Sequence, residues 1–236
     1  MLGMGELLLI RHGETAWSRT GQYGGRTDLP LTDVGVAAGR ALGPLLARRQ
    51  VAAVFVSPLS RAVRTAELAG LPDAKPDPDL LEWDYGGYEG MTEEQIRALP
   101  RAKARAAVLG VRREGAQRPT DEGEGSGPER AEASGETQPG WDLWRDGVIG
   151  GDGQAGETLR QVAARTDAVL DRVRPLLRDG DVAIIGHGHL QRVLAVRWLG
   201  LDPSAARMLS HPHTGTVSAL AYEHGQPVVA AWNVLP

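Results

Sequence analysis

The sequence contains no cysteine, only two lysines and no hydrophobic run long enough to span a membrane. Without cysteine, the chain has no disulfide framework, thiol nucleophile, zinc–thiolate site or iron–sulfur cluster. The other 24 of its 26 basic residues are arginines, a bias typical of a GC-rich genome, so most of them need no functional explanation. With 30 acidic residues the net charge is −4, which disfavours a nucleic-acid binder. The N-terminus is apolar but short and lacks the basic start of a signal peptide. We therefore expect a cytoplasmic protein that binds neither nucleic acid nor membranes.

Short apolar runs alternate with segments of helical period along most of the chain. Strands are predicted over 6–10, 51–56, 181–185, 216–222 and 227–231, and helices over 33–49, 59–68, 159–177 and 190–199. Ser57–Pro58 predicts a helix N-cap, and capping boxes begin at Thr92 and Thr158. This alternation predicts an α/β fold, a three-layer sandwich whose mostly parallel central sheet carries helices on both faces.

Residues 112–140 differ from the rest of the chain. They include six glycines, three prolines and eleven charged residues, and they lack large apolar side chains. Such a segment buries too little apolar surface to offset the entropy lost on ordering. We therefore predict one domain over 1–236 with a mobile insert at about 112–140.

Chemically versatile side chains follow three of the predicted strands. Arg11 and His12 follow the first strand, Ser57 and Arg61 the second, and His187 a late one. Carboxyl ends of parallel strands meet at one edge of a sheet, where ligands bind in such folds. Guanidinium groups suit a phosphoryl group, and a histidine can act as nucleophile. Gly13 and Gly188 would let backbone N–H groups approach the anion.

Seven segments, in order, resemble the histidine phosphatase superfamily, the phosphoglycerate-mutase-like group. They are LLLIRHGETAWS, DLPLTDVG, VSPLSRAVRTAEL, LLEWDYGGYEGMT, WDLWRDG, GET at 156–158 and IIGHGHLQRVLAVRWLG. They span nearly the whole chain outside the insert and together are highly specific. GQYGGRTDLPLT and LLEWDYGGYEGMT are most similar to the acid phosphatase and sugar-phosphate phosphatase branch.

The resemblance implies a role for each matching residue. His12 would be the nucleophile that becomes phosphohistidine, while Arg11, Arg61 and His187 would hold the phosphoryl oxygens. Glu82 would give a proton to the leaving group. This assignment is physically coherent, because the phosphoryl group needs positive charge around its oxygens and the alcohol needs a proton.

The sequence also departs from the mutases of this group. Ser18 stands where they carry Asn, and Gly24 where they carry Thr, so two side-chain contacts to phosphate are altered or lost at these substrate-binding positions. The paired arginines and the LPYW-like segment that hold a phosphoglycerate have no counterpart. These absences favour a phosphatase.

Other residues leave alternatives open. Glu14 is a second carboxylate candidate for acid–base work. Trp141, Trp144 and Arg145 either line the substrate entrance or anchor the end of the insert. His189 could join His187, His211 and His213 in a metal site, but the neighbouring arginines disfavour a cation, and we expect neither metal nor cofactor.

We predict a phosphomonoesterase that hydrolyses small phosphorylated metabolites, with sugar phosphates favoured over phosphoglycerates. The alternatives are a phosphoglycerate mutase and a non-catalytic phosphate-binding module. The joint presence of the five residues assigned above argues against the module. The expected partner is a small phosphate ester, and a homodimer is compatible with the sequence.

Overall fold

The computed structural model describes residues 4–99, 141–148 and 155–236. In these ranges the strands are β1 (Leu7–Arg11), β2 (Val51–Val56), β3 (Lys75–Pro76), β4 (Asp181–Gly186), β5 (Val217–Glu223) and β6 (Gln226–Val234). The α-helices are α1 (Ala16–Thr20), α2 (Asp33–Leu46), α3 (Ser60–Leu68), α4 (Glu93–Arg97), α5 (Leu143–Asp146), α6 (Leu159–Val173) and α7 (Gly188–Trp198). Short 3₁₀ helices lie at Pro78–Leu80, Gly86–Tyr88, Arg174–Arg178 and Pro203–Met208.

The strands form one six-stranded sheet in the order β3-β2-β4-β1-β5-β6. The β3–β2, β2–β4 and β4–β1 pairs are parallel, whereas β1–β5 and β5–β6 are antiparallel. The two-residue turn His224–Gly225, with φ of 50° and 78°, joins β5 to β6, and positive φ at both positions suits a tight hairpin. The mostly parallel sheet confirms the predicted fold class.

Both faces of the sheet are covered, as fully apolar strands require. Leu7 and Leu9 point to a core shared with α6 and α7, whereas Leu8 and Ile10 point to a core shared with α2 and α3. All four side chains are completely buried. The three-layer arrangement therefore follows from alternation along β1, with a separate core on each side of the sheet.

Helix starts match the sequence prediction at two places and differ at a third. Thr92 and Thr158 both form the predicted capping boxes. The prediction of Ser57 as an N-cap is wrong, because α3 begins at Ser60 with Leu59 as its N-cap. Asp28 instead accepts hydrogen bonds from the Ser60 N–H at 2.9 Å and from its hydroxyl at 2.8 Å. The Ser57 hydroxyl instead contacts His187.

The predicted insert at 112–140 lies outside the described residues, so its mobility and the single-domain assignment remain predictions. Within the three described ranges, every helix is too short or too polar to cross a membrane.

Candidate active site

Three adjacent parallel strands end beside one another and bring the predicted residues together. Arg11 is the last residue of β1 and pairs in register with Gly186 at the end of β4. The His12 N–H donates to the Gly186 carbonyl at 3.0 Å, and the Ser57 N–H donates to the Ile185 carbonyl at 2.9 Å. The side chains that follow β1, β2 and β4 therefore start from the same edge of the sheet.

A cavity of about 450 Å³ opens at this edge. Its lining includes all five residues to which the resemblance gives a chemical role: Arg11, His12, Arg61, Glu82 and His187. The volume falls in the range of small-molecule sites. The structure thus places these five side chains around one space large enough for a metabolite.

His12 is held in one orientation and one tautomer. Its Nδ1 lies 2.6 Å from the Gly13 carbonyl, and because a carbonyl only accepts, Nδ1 carries the proton of the neutral ring. Nε2 then keeps its lone pair. Burial lowers the pKa of His12 well below its ordinary value, and the charges of Arg11 and Arg61 lower it further. His12 is therefore a neutral imidazole with a nucleophilic nitrogen at neutral pH.

His187 is oriented by Ser57, the residue that the sequence predicted as a helix N-cap. Its Nε2 lies 2.7 Å from the Ser57 hydroxyl oxygen, and both residues are fully buried. Its Nδ1 is buried without a hydrogen-bond partner among the described residues. When Ser57 donates to Nε2, the proton of the neutral ring resides on Nδ1, which can then donate to a ligand. The ring centroids of His187 and His12 are 5.1 Å apart.

Two arginines supply the fixed positive charge. Arg61 is 2% exposed and donates to the carbonyls of Thr27, Gly24 and Gly25 at 2.7–2.9 Å. Arg11 donates through Nη1 to the Pro212 carbonyl, and its Nε is buried without a partner within the described part of the chain. Burial lowers the pKa of Arg11 to about 10, so it stays cationic at neutral pH.

Glu82 lies against the start of α7. Its Oε1 accepts from the backbone N–H groups of Trp83 and Leu190 at 2.9 and 3.0 Å, and its Oε2 accepts from that of His189 at 3.1 Å. The side chain is 6% exposed and lines the cavity. These bonds fix the carboxyl group beside the first turn of α7, at the cavity wall.

A partly buried ion pair supports the segment that carries Glu82. Arg165 donates to the carbonyls of Asp79, Leu81 and Glu82 at 2.6–3.2 Å. It also makes a two-point ion pair with Glu157, at 2.8 and 2.9 Å. Glu157 in turn accepts from the Asp84 N–H at 3.0 Å. Glu157 belongs to the GET sequence and Arg165 to α6, and together they hold the segment that carries Glu82.

The remaining predicted binding residues lie at or near the cavity. Ser18 lines it, but its hydroxyl already bonds the Thr15 backbone in a capping box. Gly24 lines it too, and its carbonyl holds Arg61. A Cβ on Gly188 would lie 2.3 Å from the His211 ring. The absence of a side chain at Gly188 therefore makes room for a cavity residue, His211.

In the loop after β1, the prediction for the Gly13 N–H is wrong and the alternative that involves Glu14 is disfavoured. The Gly13 N–H donates to the Thr65 hydroxyl at 3.0 Å, so it is not aimed at an anion. A Cβ on Gly13 would lie 2.3 Å from the Gly35 carbonyl oxygen, which is the physical reason for glycine here. Glu14 accepts from the Thr32 hydroxyl at 2.7 Å and does not line the cavity.

The three residues that the sequence analysis grouped after the insert lie in different surroundings. Trp144 lines the cavity, with its ring 5.5 Å from that of Trp83. Trp141 packs edge-on against Tyr88 in the core. Arg145 pairs with Asp146 at the surface. Only Trp144 of the three therefore belongs to the cavity wall.

The histidines considered as metal ligands make other contacts. The His189 Nδ1 lies 2.7 Å from the Tyr85 hydroxyl, and the His187 Nε2 lies 2.7 Å from the Ser57 hydroxyl. Burial lowers the pKa of both His189 and His211. In the ranges that the structure describes, no group of three or more His, Asp or Glu side chains is placed to hold a metal ion.

Several cavity residues were not singled out from the sequence. They include Gln22, Tyr23, Tyr85, Glu93, Asp142 and Arg192. Arg192 is the most informative, since it is a cation at a buried position of α7. The available signal was a charged residue among the apolar positions of the predicted helix 190–199.

Comparison with known proteins identifies the family of the chain. The model of the histidine phosphatase superfamily (branch 1) matches residues 7–116 and 118–235. An acid phosphatase of Mycobacterium tuberculosis (strain ATCC 25618 / H37Rv) is 32% identical over 221 residues, which are 93% of this chain and 87% of that protein. A sedoheptulose 1,7-bisphosphatase of Saccharomyces cerevisiae (strain ATCC 204508 / S288c) is 30% identical over 217 residues, 82% of this chain and 67% of that protein.

Solved structures share the fold. The structure of an open reading frame from Mycobacterium tuberculosis has a TM-score of 0.74 and 30% identity, and the match covers 98% of each chain. An α-ribazole phosphatase structure from Shigella flexneri has a TM-score of 0.70 at 21% identity, over 97% of this chain and 96% of that one. The second likeness concerns the fold alone.

Proposed function

Because the chain belongs to the histidine phosphatase superfamily, we propose that it is a phosphomonoesterase that works through a phosphohistidine on His12. The observation that carries the proposal is the state of His12. Its Nδ1 is tied to the Gly13 carbonyl, and its neutral Nε2 shares one cavity with Arg11, Arg61 and His187. A neutral nucleophile beside fixed cations is the arrangement that phosphoryl transfer requires.

In the first step, the Nε2 lone pair of His12 attacks phosphorus and the bond between phosphorus and the ester oxygen breaks. Arg11 and Arg61 bring positive charge to the phosphoryl oxygens, and the His187 Nδ1–H donates a hydrogen bond to one of them. These groups are held by protein contacts before substrate binds. Little reorganisation is then needed as charge shifts in the transition state.

The ester oxygen leaves as an alcohol when Glu82, in its protonated form, gives it a proton. In the second step a water molecule attacks the phosphohistidine, and the Glu82 carboxylate accepts a proton from that water. Inorganic phosphate is released, His12 regains its lone pair and Glu82 regains its proton. The same carboxyl group thus serves as acid and then as base.

The substrate class we propose is small sugar phosphates. Tyr23, Tyr85 and Trp144 line the cavity, and aromatic rings offer flat apolar surface to the C–H faces of a sugar while polar edges bind hydroxyl groups. The yeast relative acts, by its name, on a sugar bisphosphate. Ser18 and Gly24 at the cavity wall, and Gly188 behind it, are proposed to shape the space around the ester.

Phosphoenzyme trapping tests the mechanism. A radiolabelled phosphate ester, mixed with the protein and quenched in alkali within milliseconds, should leave label on the chain, and acid should release it, as expected of phosphohistidine. His12→Ala should trap none and lose turnover. His224→Ala, at an exposed hairpin turn, is the matched control and should behave as the parent does.

Turnover near the parental rate by a folded His12→Ala protein would overturn the mechanism. A metabolite panel then separates the alternatives. A phosphatase releases inorganic phosphate from sugar phosphates, whereas a mutase returns phosphate to a phosphoglycerate. A protein that binds phosphate without releasing it from any ester would be the non-catalytic module.

A further inference from the structure

The guanidinium group of Arg61 is held by the backbone of one short loop, residues 24–27. A guanidinium carries five N–H groups. Nη2 donates both of its hydrogens, to the carbonyls of Gly24 and Gly25 at 2.7 and 2.9 Å, and Nη1 donates one to the Thr27 carbonyl at 2.8 Å. The N–H of Nε and the second hydrogen of Nη1 remain for a phosphoryl group. The loop therefore determines where these two N–H groups point.

Glu89 holds the middle of the same loop from outside the cavity. It follows the 3₁₀ helix Gly86–Tyr88, is half-buried and does not line the cavity. Its Oε1 accepts from the Arg26 N–H at 2.5 Å, and its Oε2 accepts from the N–H and the hydroxyl of Thr27 at 2.8 and 2.5 Å. Hydrogen bonds to a charged acceptor are stronger than those between neutral groups. One carboxylate thus fixes three donors of the loop.

A single peptide group connects Glu89 with Arg61. The Gly25 carbonyl and the Arg26 N–H belong to the same planar unit, which donates to Glu89 Oε1 and accepts from Arg61 Nη2. A carboxylate at the N–H end polarises the carbonyl at the other end and strengthens its bond to the guanidinium. The fit is close, because a Cβ on Gly25 would lie 2.4 Å from Glu89 Oε1 and 2.6 Å from the Trp83 carbonyl oxygen.

This connection also supplies charge. No carboxylate in the described ranges lies within ion-pair distance of Arg61, and a buried cation is costly without compensation. Burial lowers the pKa of Arg61, and the charge of Glu89 is among those that oppose this shift. A carboxylate placed one peptide group away stabilises the cation without taking up the two N–H groups left for the phosphoryl group.

The two ends of the loop have anchors of their own. The Tyr23 N–H donates to the Met91 carbonyl at 2.9 Å, and the Gly90 N–H donates to the Tyr23 carbonyl at 2.8 Å. At the other end, Asp28 caps α3 through Ser60. Loss of the Glu89 carboxylate should therefore loosen the middle of the loop and leave the fold in place.

We infer that Glu89 is a positioning residue, which acts through the Gly25–Arg26 peptide to fix Arg61 in the orientation that meets the phosphoryl group. This inference rests on the proposed function and adds to it a residue that never touches the substrate. A merely structural Glu89 would stabilise the protein without any specific link to Arg61. The experiments below separate the two.

Steady-state kinetics of Glu89→Gln give the first readout. The amide keeps the size of the carboxylate but loses its charge and turns an NH₂ group toward at least one of the loop donors. We expect kcat/KM for nitrophenyl phosphate to fall about 10- to 100-fold, less than the roughly 10²–10³-fold typical of removing such a donor outright. Glu67→Gln is the control, because Glu67 lies on α3 with Arg61 but pairs with Arg64 at the surface. It should stay within about twofold of the parent.

A double-mutant cycle tests the link to Arg61. In an Arg61→Met background, Glu89→Gln should lower kcat/KM by less than about twofold, because two changes along one route are not additive. A loss by the same factor in both backgrounds, or parental kcat/KM in Glu89→Gln alone, would overturn the inference. Arg61→Lys, which loses the planar fork, serves if Arg61→Met does not fold. Thr27→Val, which removes one of the three bonds to Glu89, serves if Glu89→Gln does not fold, and its loss should likewise require Arg61.

Nuclear magnetic resonance of the arginine side chains reports on positioning without turnover. The Nη hydrogens of Arg61, identified by their absence in Arg61→Lys, should give separate signals in the parent and averaged signals in Glu89→Gln. If the parent hydrolyses no ester, the proposed function fails, and this change would still show that Glu89 holds Arg61. Separate signals that persist in Glu89→Gln would overturn the inference whether or not the protein is a phosphatase.

Discussion

Replacing Glu82 by glutamine tests the acid–base assignment at one atom. In the parent, Oε1 accepts from two backbone N–H groups and Oε2 accepts from the His189 N–H at 3.1 Å. The glutamine carbonyl can replace Oε1, but its NH₂ group then faces the His189 N–H, donor against donor. Glu82→Gln therefore removes the transferable proton together with one of three hydrogen bonds.

The kinetic effect should depend on the leaving group. A sugar alkoxide needs a proton in the transition state, and general acid catalysis is typically worth about 10²–10⁴-fold. A nitrophenolate leaves without one. Glu82→Gln should therefore slow phosphorylation by a sugar phosphate about 10²–10⁴-fold and change phosphorylation by nitrophenyl phosphate far less. Because hydrolysis of the phosphohistidine needs a base, nitrophenyl phosphate should give a burst followed by a slow steady state.

The lost hydrogen bond predicts a separate change in stability. Leaving a buried donor unsatisfied costs about 1–3 kcal/mol, and for a chain of this size each kcal/mol lowers Tm by about 2–4 °C. The variant should still be folded at 25 °C. A lower Tm alone affects both substrates alike, so the dependence on the leaving group isolates the proton transfer.

Stopped-flow measurements on both substrates decide the question, with Glu14→Gln as control. Glu14 bonds Thr32 and does not line the cavity, so its variant should keep parental kinetics on either substrate. If Glu82→Gln loses activity equally on the two substrates and shows no burst, Glu82 is not the acid.

Further predictions concern the histidines, the glycines and the support of Glu82. Burial holds the pKa of the cavity histidines below the value in an unfolded chain. Below about pH 6.5 the unfolded state therefore takes up protons that the folded state does not, and the free energy of unfolding in urea should fall by about 1.4 kcal/mol per pH unit per histidine. His211→Asn should reduce that slope, because it removes one of these buried histidines. Gly188→Ala, with its Cβ 2.3 Å from the His211 ring, should cost about 1–3 kcal/mol in thermal denaturation, whereas Gly24→Ala meets an indole carbon at 3.7 Å and should be tolerated. Arg165 holds the segment that carries Glu82, so Arg165→Lys should slow turnover of a sugar phosphate more than turnover of nitrophenyl phosphate. In the Glu82→Gln background, where the acid is already absent, Arg165→Lys should slow turnover little further.

The position of the candidate site could be predicted from the sequence because it depends on topology. Arg11, His12 and His187 each follow an apolar run, and parallel strands put the ends of such runs at one edge. This expectation is met, because Arg11 pairs in register with Gly186 and the His12 N–H donates to the Gly186 carbonyl. Strand ends are local in sequence, so the inference needed no knowledge of distant contacts.

The roles of Ser57 and Gly13 could not be predicted, because both depend on residues far along the chain. Ser57–Pro58 has the local pattern of a cap, yet Asp28 caps α3 and frees Ser57 for His187. Gly13 is glycine because the backbone of Gly35 passes against it. In both cases the local sequence pattern predicts the secondary structure, but contacts with distant residues determine what each side chain or backbone group bonds.

In the proposed mechanism, the histidines and the arginines of the cavity have different tasks. Burial keeps His12 and His187 uncharged at neutral pH, so the positive charge that meets a phosphoryl group comes from Arg11 and Arg61. A protonated His12 would have no lone pair with which to attack phosphorus. The same desolvation strengthens each arginine's interaction with an anion, since the effective dielectric is lower than in water. In the proposed mechanism, burial of this edge of the sheet therefore keeps His12 neutral and strengthens the interaction of the two arginines with the phosphoryl group.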